Sequence, residues 1–114
     1  MMTLLRPRMH PLLAFSLATA LVTLVSFTPA FAADVKVSIT NFKFDPEVVT
    51  AAVGDKVIFT NADDTIHSVV GDDGSFHSDG LDTNDTYTYT VTKAGTIAYH
   101  CGLHPFMKGQ IVVK

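Results

Sequence analysis

The sequence predicts an all-β fold, a sandwich or barrel of about seven to eight short strands. Residues 33–114 contain short runs in which apolar and polar side chains alternate, and these runs are rich in β-branched and aromatic residues. Glycine, proline, asparagine and aspartate separate the runs at regular intervals. No run has the longer period of an amphipathic helix, so a βαβ unit is not expected.

The first half of this region contains a series of extended runs. Phe42 and Phe44 prolong the alternation of the first run until Asp45-Pro46 makes a turn. Val53-Gly54-Asp55 is a second turn, and residues 61–64 are a polar break. The predicted strands cover residues 35–44, 47–51, 56–60 and 65–70.

The second half contains a long polar connection followed by three strands. Residues 71–85 are mostly polar, and we expect Phe76 and Leu81 to anchor this connection to the core. Residues 86–92 alternate strictly, and the turn at residues 93–95 predicts a hairpin into the next strand. The last two strands are predicted over residues 96–101 and 110–113.

The first 32 residues have the pattern of a secretory signal peptide. Arg6 and Arg8 precede an apolar run from Leu12 to Phe27, and Ala30-Phe31-Ala32 is a small-residue cleavage pattern. An uncleaved membrane anchor is the alternative, but the apolar run is shorter than the roughly 20 residues that cross a bilayer. We predict cleavage after Ala32 on a Sec-type route, a periplasmic location, and one domain over residues 33–114.

The charge of this domain limits the partners that it could have. Residues 33–114 contain six lysines, no arginine and eleven acidic residues, so the net charge is −5 with neutral histidines. An acidic balance argues against nucleic acid and against anionic membranes as partners. We expect a soluble monomer that could dock on a basic protein surface, with no membrane association after cleavage.

A single cysteine, Cys101, is present in the chain, and it cannot form an internal disulfide. The presence of a free thiol in an oxidising compartment requires an explanation. It could be buried as a small hydrophobic side chain or could pair with another molecule. A third possibility is that a metal ion holds it as a thiolate.

The neighbours of Cys101 favour the metal. His104 and Met107 follow it at intervals of three residues, so one short segment carries a thiol, an imidazole and a thioether. This spacing could also place the three side chains along one face of a helix. Gly102 and Pro105 disfavour a helix here, and a tight turn would let the three donors converge.

A further donor could come from one of the histidines outside this segment. His100 neighbours Cys101 on the same predicted strand, so its side chain should point to the opposite face. His77 lies in the polar connection and is expected on the surface, while His10 lies in the leader. His67 lies at a strand end after a polar break, where it could be a buried core histidine or a metal ligand. The donor set downstream favours the ligand.

A thiolate, two imidazoles and a thioether form the donor set of a blue-copper site. Zinc is the alternative, but zinc prefers thiolate, imidazole and carboxylate ligands and rarely binds a thioether. Met107 therefore favours copper, with one type 1 ion per chain.

These features together resemble the cupredoxins, the small blue-copper proteins, and the loop from Cys101 to Met107 is similar to the short amicyanin-type ligand loop. Further matching features are Phe44-x-Pro46, the Val53-Gly54-Asp55 turn, Val57-x-Phe59-x-Asn61 and Gly95-x-x-x-Tyr99-x-Cys101. The resemblance implies a Greek-key sandwich. It also implies that His67, Cys101 and His104 are the three main copper ligands and that Met107 is a weak axial ligand.

The sequence departs from the cupredoxin pattern at two positions next to ligands. Ser68 stands where cupredoxins usually have an asparagine that braces the ligand loop, and Gly102 stands where they usually have serine, threonine or alanine. Groups around the ligands orient them and tune the metal. These two residues leave the rigidity and the redox potential of the site open.

The resemblance implies a soluble electron shuttle between protein partners, such as a dehydrogenase or a c-type cytochrome, and no enzymatic activity. Leu103, Pro105 and Phe106 could form an apolar docking patch around His104, or they could simply pack the loop. Two other functions remain open. One is copper trafficking or storage without redox turnover, and the other is a structural domain whose thiol only packs.

Overall fold

The computed structural model describes residues 3–11, 14–26 and 31–114 and shows an all-β sandwich, as predicted. Its strands are β1 (Asp34–Thr40), β2 (Lys43–Asp45), β3 (Val48–Ala51), β4 (Lys56–Asn61), β5 (Val70–Gly71), β6 (Thr86–Thr90), β7 (Gly95–His100) and β8 (Lys108–Val113). One sheet has the strand order β2-β1-β4-β6, and the other has the order β3-β8-β7-β5. The pairs β1–β4 and β3–β8 are parallel, whereas the other neighbours are antiparallel.

The core lies between the two sheets, because alternate residues of each strand point inward. β4 shows this most clearly, since Val57, Phe59 and Asn61 are buried while the residues between them are partly exposed. An aromatic cluster fills the centre, where Phe59 contacts Tyr99 edge-to-face at a centroid distance of 5.2 Å. The predicted anchors of the long connection, Phe76 and Leu81, are both buried.

The predicted strand over residues 65–70 is mostly absent. A single bridge joins His67 to Leu81, and only Val70 and Gly71 form β5. The backbone amide of Ser68 instead donates to the sulfur of Cys101, and that of Val69 donates to the hydroxyl of Ser78. These amides bind side chains, so they do not form a regular ladder.

Two predicted connections are also wrong. The first strand does not run on through Phe42, because Asn41 and Phe42 form a turn with positive φ angles and the chain reverses into β2. The turn at residues 93–95 does not make a hairpin, because β6 and β7 lie in different sheets. Alternation within a strand reports which side chains face inward, but it does not report which sheet the strand joins.

The predicted signal peptide falls partly outside the described residues, since residues 27–30 beside the predicted cleavage position are not described. Residues 3–11 and 14–26 contain no helix or strand and are exposed. Within the described ranges, no helix has the length and apolar character needed to span a bilayer.

Candidate metal centre

The three predicted donors of the short loop lie between β7 and β8. Cys101 directly follows the end of β7, and Met107 directly precedes β8. The amide of Cys101 donates to the carbonyl of Met107 at 3.0 Å, and the amide of Met107 donates to the carbonyl of His104 at 2.9 Å. These bonds close a tight turn, so the alternative of a helical stripe is wrong.

The structure brings His67 to this loop from the segment between β4 and β5. The Nδ1 atoms of His67 and His104 are 3.2 Å apart, and the sulfur of Cys101 lies 3.8 Å from the first and 3.7 Å from the second. His67 and Cys101 are fully buried, and His104 is partly buried. In the described part of the chain this is the one group of three or more histidine, cysteine or acidic residues that could hold a metal ion.

The spacing of the three donor atoms fits a metal ion. The separations define a triangle whose circumcentre lies about 2.1 Å from each atom, which is close to a bond from a first-row metal to imidazole nitrogen or thiolate sulfur. Met107 is buried in the same turn. The four residues are arranged as a type 1 copper site, and the predicted copper cofactor is confirmed.

Comparison with known proteins agrees with this geometry. The family model of the cupredoxin-like domain matches residues 13–113. The chain belongs to the cupredoxin-like family. Amicyanin from Paracoccus denitrificans is 34% identical over 102 residues, which cover 81% of this cupredoxin and 78% of the relative. Amicyanin-alpha from Methylorubrum extorquens is 34% identical over 110 residues, covering 90% of this chain and 92% of the relative.

A solved structure of a mutant amicyanin in its Cu(I) form is also similar to this cupredoxin. It superposes with a TM-score of 0.67 at 30% identity, over 71% of this chain and 82% of that chain. The resemblance to the cupredoxins predicted from the sequence is therefore confirmed, and it extends through the two sheets.

The two positions at which this cupredoxin departs from the family pattern contact each other. The hydroxyl of Ser68 accepts a hydrogen bond from the amide of Gly102 at 2.9 Å, and the amide of Ser68 donates to the sulfur of Cys101 at 3.3 Å. Ser68 therefore braces the ligand loop directly, with a hydroxyl where the family usually has a carboxamide.

A carboxylate that was not predicted from the sequence lies directly behind His67. Oδ2 of Asp63 is 2.8 Å from Nε2 of His67, and the amides of Asn41 and Phe42 donate to the same carboxylate. Burial would raise the pKa of Asp63, but the hydrogen bonds from the two turn amides and the interaction with His67 together outweigh it, so the pKa is lowered.

The contact between His67 and Asp63 favours one tautomer of the neutral imidazole. When Nε2 of His67 donates its hydrogen to Asp63, the Nδ1 atom carries a free lone pair directed at Cys101 and His104. This is the tautomer that a metal requires. The four-residue interval between Asp63 and His67 was the available signal, but many acidic residues occupy such turns.

The other two histidines of the domain lie outside the site, as predicted. His100 points away from Cys101 and its Nδ1 lies 2.6 Å from Oδ1 of Asp72. His77 is exposed and forms a bridge with Val70.

Proposed function

We propose that this cupredoxin is a periplasmic type 1 copper protein that carries single electrons between protein partners and does not act as an enzyme. In this proposal His67, Cys101 and His104 are the three main ligands, and Met107 is the weak axial ligand. The observation that carries the proposal is the convergence of two imidazole nitrogens and one sulfur on a common point.

The surroundings of the donors suit electron transfer. Copper bound here would supply a one-electron couple between Cu(I) and Cu(II). The chain holds the donors in nearly fixed positions, because Ser68 braces the loop and Asp63 orients His67. Ligands that move little when the oxidation state changes lower the reorganisation energy of each electron transfer.

The most direct path for an electron leads through His104. This residue is partly exposed, whereas His67 and Cys101 are fully buried. Leu103, Pro105 and Phe106 surround it on the surface, and Phe106 is 71% exposed. We call these three residues the His104 patch, and we propose that a protein donor and acceptor, such as a dehydrogenase or a c-type cytochrome, dock there.

Truncation of the His104 patch should slow electron exchange without changing the copper site. Phe106→Ala should lower the second-order rate of reduction by a partner protein about tenfold or more, because aromatic anchors carry much of an interface's binding energy. The visible spectrum should stay as in the wild type. Val53→Ala is the matched control, since Val53 is also exposed but lies in the turn that precedes β4. Equal rates in the wild type and Phe106→Ala would contradict docking at this patch.

The proposed function is tested by adding Cu(II) to the recombinant domain over residues 33–114. We expect an intense blue absorption band and a narrow copper hyperfine splitting, both of which Cys101→Ser should abolish while His77→Ala retains them. A protein for copper storage would instead hold exchangeable Cu(I) and show no strong colour with Cu(II). A colourless Cu(II) sample with a reactive Cys101 thiol would overturn the electron-transfer proposal.

The periplasmic part of the proposal rests on the secretory leader, which we expect to be cleaved after Ala32. The amide of Ala33 donates to Oδ1 of Asp55 at 2.9 Å, and its carbonyl accepts from the amide of Lys56 at 3.0 Å. These bonds attach residue 33 to the sandwich, and they support a folded domain that starts there. Mass spectrometry of the exported protein should give a chain that starts at Ala33, and an intact leader in the membrane fraction would contradict cleavage.

A further inference from the structure

The turn between β1 and β2 has an unfavourable residue at its tip. Asn41 and Phe42 have φ angles of 52° and 57°, so both lie in the left-handed region. Two-residue hairpin turns with this geometry prefer Asn-Gly, because glycine lacks the Cβ that makes the conformation unfavourable. Asparagine at the first position is ordinary, whereas phenylalanine at the second is unusual and suggests a local role for its ring.

The carboxylate of Asp63 holds this turn. Its Oδ1 accepts from the amide of Asn41 at 2.7 Å, and its Oδ2 accepts from the amide of Phe42 at 3.0 Å and lies 2.8 Å from Nε2 of His67. Asp63 is itself fixed, because its amide donates to Asn61 and its carbonyl accepts from Thr83. One carboxylate therefore connects the turn to a proposed copper ligand.

The ring of Phe42 lies against both histidines of the site. Its centroid is 5.1 Å from that of His67 and 5.2 Å from that of His104, and it is nearly perpendicular to both rings, at 90° and 88°. Edge-to-face contacts of this kind are favourable. Phe42 is 40% exposed, so one part of the ring contacts the imidazoles while another part faces solvent.

Phe106 provides a comparison within the same region. Its ring is 6.1 Å from that of His104, at 64°, and is 71% exposed. Among the described aromatic contacts it meets His104 alone, whereas Phe42 meets both histidines. Phe106 is therefore placed to contact a docking partner, whereas Phe42 is placed to cover the two imidazoles.

We propose that Phe42 is a positioning residue, an aromatic cover over both histidine ligands that Asp63 holds in place. The ring restricts the movement of the two imidazoles and limits the approach of water and competing ligands to the metal. The inference rests on the proposed function, because it requires His67 and His104 to be the ligands. A ring that covers the ligands in this way should make the release of copper slow.

The cover is tested by the rate at which an excess of chelator removes copper from the loaded protein. Phe42→Gly should release copper at least tenfold faster than the wild type, although glycine suits the turn and should keep or raise the thermal stability of the metal-free protein. Phe42→Tyr, which keeps the ring, should release copper within threefold of the wild-type rate, and Phe106→Ala within twofold. A Phe42→Gly rate within twofold of wild type, or equal acceleration in Phe106→Ala, would overturn the proposal.

The role of Asp63 is tested in the metal-free protein by hydrogen exchange at the amides of Asn41 and Phe42. Asn has a single acceptor oxygen, so Asp63→Asn cannot keep all three contacts, and exchange at one or both amides should accelerate at least tenfold. Unchanged exchange at both would overturn the role of Asp63. Failure of the wild type to bind copper would overturn the proposed function and the cover, whereas the exchange rates would still report whether Asp63 holds the turn.

Discussion

At the scale of single residues, Ser68 and Gly102 form a matched pair. A Cβ added at residue 102 would lie 2.8 Å from the hydroxyl oxygen of Ser68 and 3.2 Å from a methyl group of Val70. The short serine side chain can reach the amide of Gly102 because no side chain occupies that space. Each departure from the cupredoxin pattern therefore accommodates the other, and together they brace the loop.

A double-mutant cycle should show this coupling. Gly102→Ala forces its Cβ against the Ser68 hydroxyl and should destabilise the metal-free protein by about 1–3 kcal/mol. Ser68→Ala removes the acceptor of the Gly102 amide and should destabilise it by about 1 kcal/mol. The double variant removes the clash and should lose less than the sum of the two. Denaturant unfolding measures the four free energies, and additive losses would contradict a direct contact.

At the scale of elements, Asp55 ties the start of β1 to the turn that precedes β4. Its two carboxylate oxygens accept from the amides of Ala52, at 2.8 Å, and Ala33, at 2.9 Å. These two hydrogen bonds lower the pKa of Asp55, and they outweigh the opposing effect of burial. Cleavage after Ala32 would turn the Ala33 amide into an ammonium group, which would add a charge to this contact.

The lowered pKa of Asp55 predicts a loss of stability in acid. A carboxyl whose pKa is depressed on folding stabilises the native state above its unfolded pKa of about 3.9 and loses that contribution as the pH falls through the folded pKa. The melting temperature of Asp55→Asn should be lower than that of the wild type at pH 6, and the difference should shrink below about pH 4. Asp79→Asn, at an exposed aspartate, is the control, and a difference between the wild type and Asp55→Asn that is independent of pH would contradict the linkage.

At the scale of the whole molecule, the metal centre joins distant parts of the chain. His67 lies between β4 of one sheet and β5 of the other, and the loop from Cys101 to Met107 joins β7 to β8. An ion that binds these donors in the native state, and binds the unfolded chain weakly, stabilises the fold by mass action.

Removal of copper should therefore lower the melting temperature. Binding at a thousandfold excess over Kd contributes about 4 kcal/mol, and a domain of this size shifts by roughly 4–8 °C per kcal/mol, so we expect a loss of at least about 15 °C. Calorimetry with and without copper measures the shift. Cys101→Ala should lose most of the shift, and His77→Ala should keep the full shift. An undiminished copper-dependent shift in Cys101→Ala would show that the ion is not held by this thiolate.

The sequence by itself determined the fold class and most of the donor set. Alternation with a period of two marks which side chains face the core, and this signal is local, so most strands could be predicted. The spacing of Cys101, His104 and Met107 is local too, because one tight turn brings these residues together. His67 could be predicted because few other histidines were compatible with the site.

The tertiary structure alone decided what surrounds the donors. Phe42 can cover the histidines only because the chain turns at residues 41 and 42, where the alternation of apolar and polar residues had predicted a continuous strand. The three contacts of Asp63 come from two different segments. The crossing from β6 to β7 likewise depends on which sheet each strand joins. These features arise from hydrogen bonds between residues far apart in the chain, and no local pattern of residue types encodes such partners.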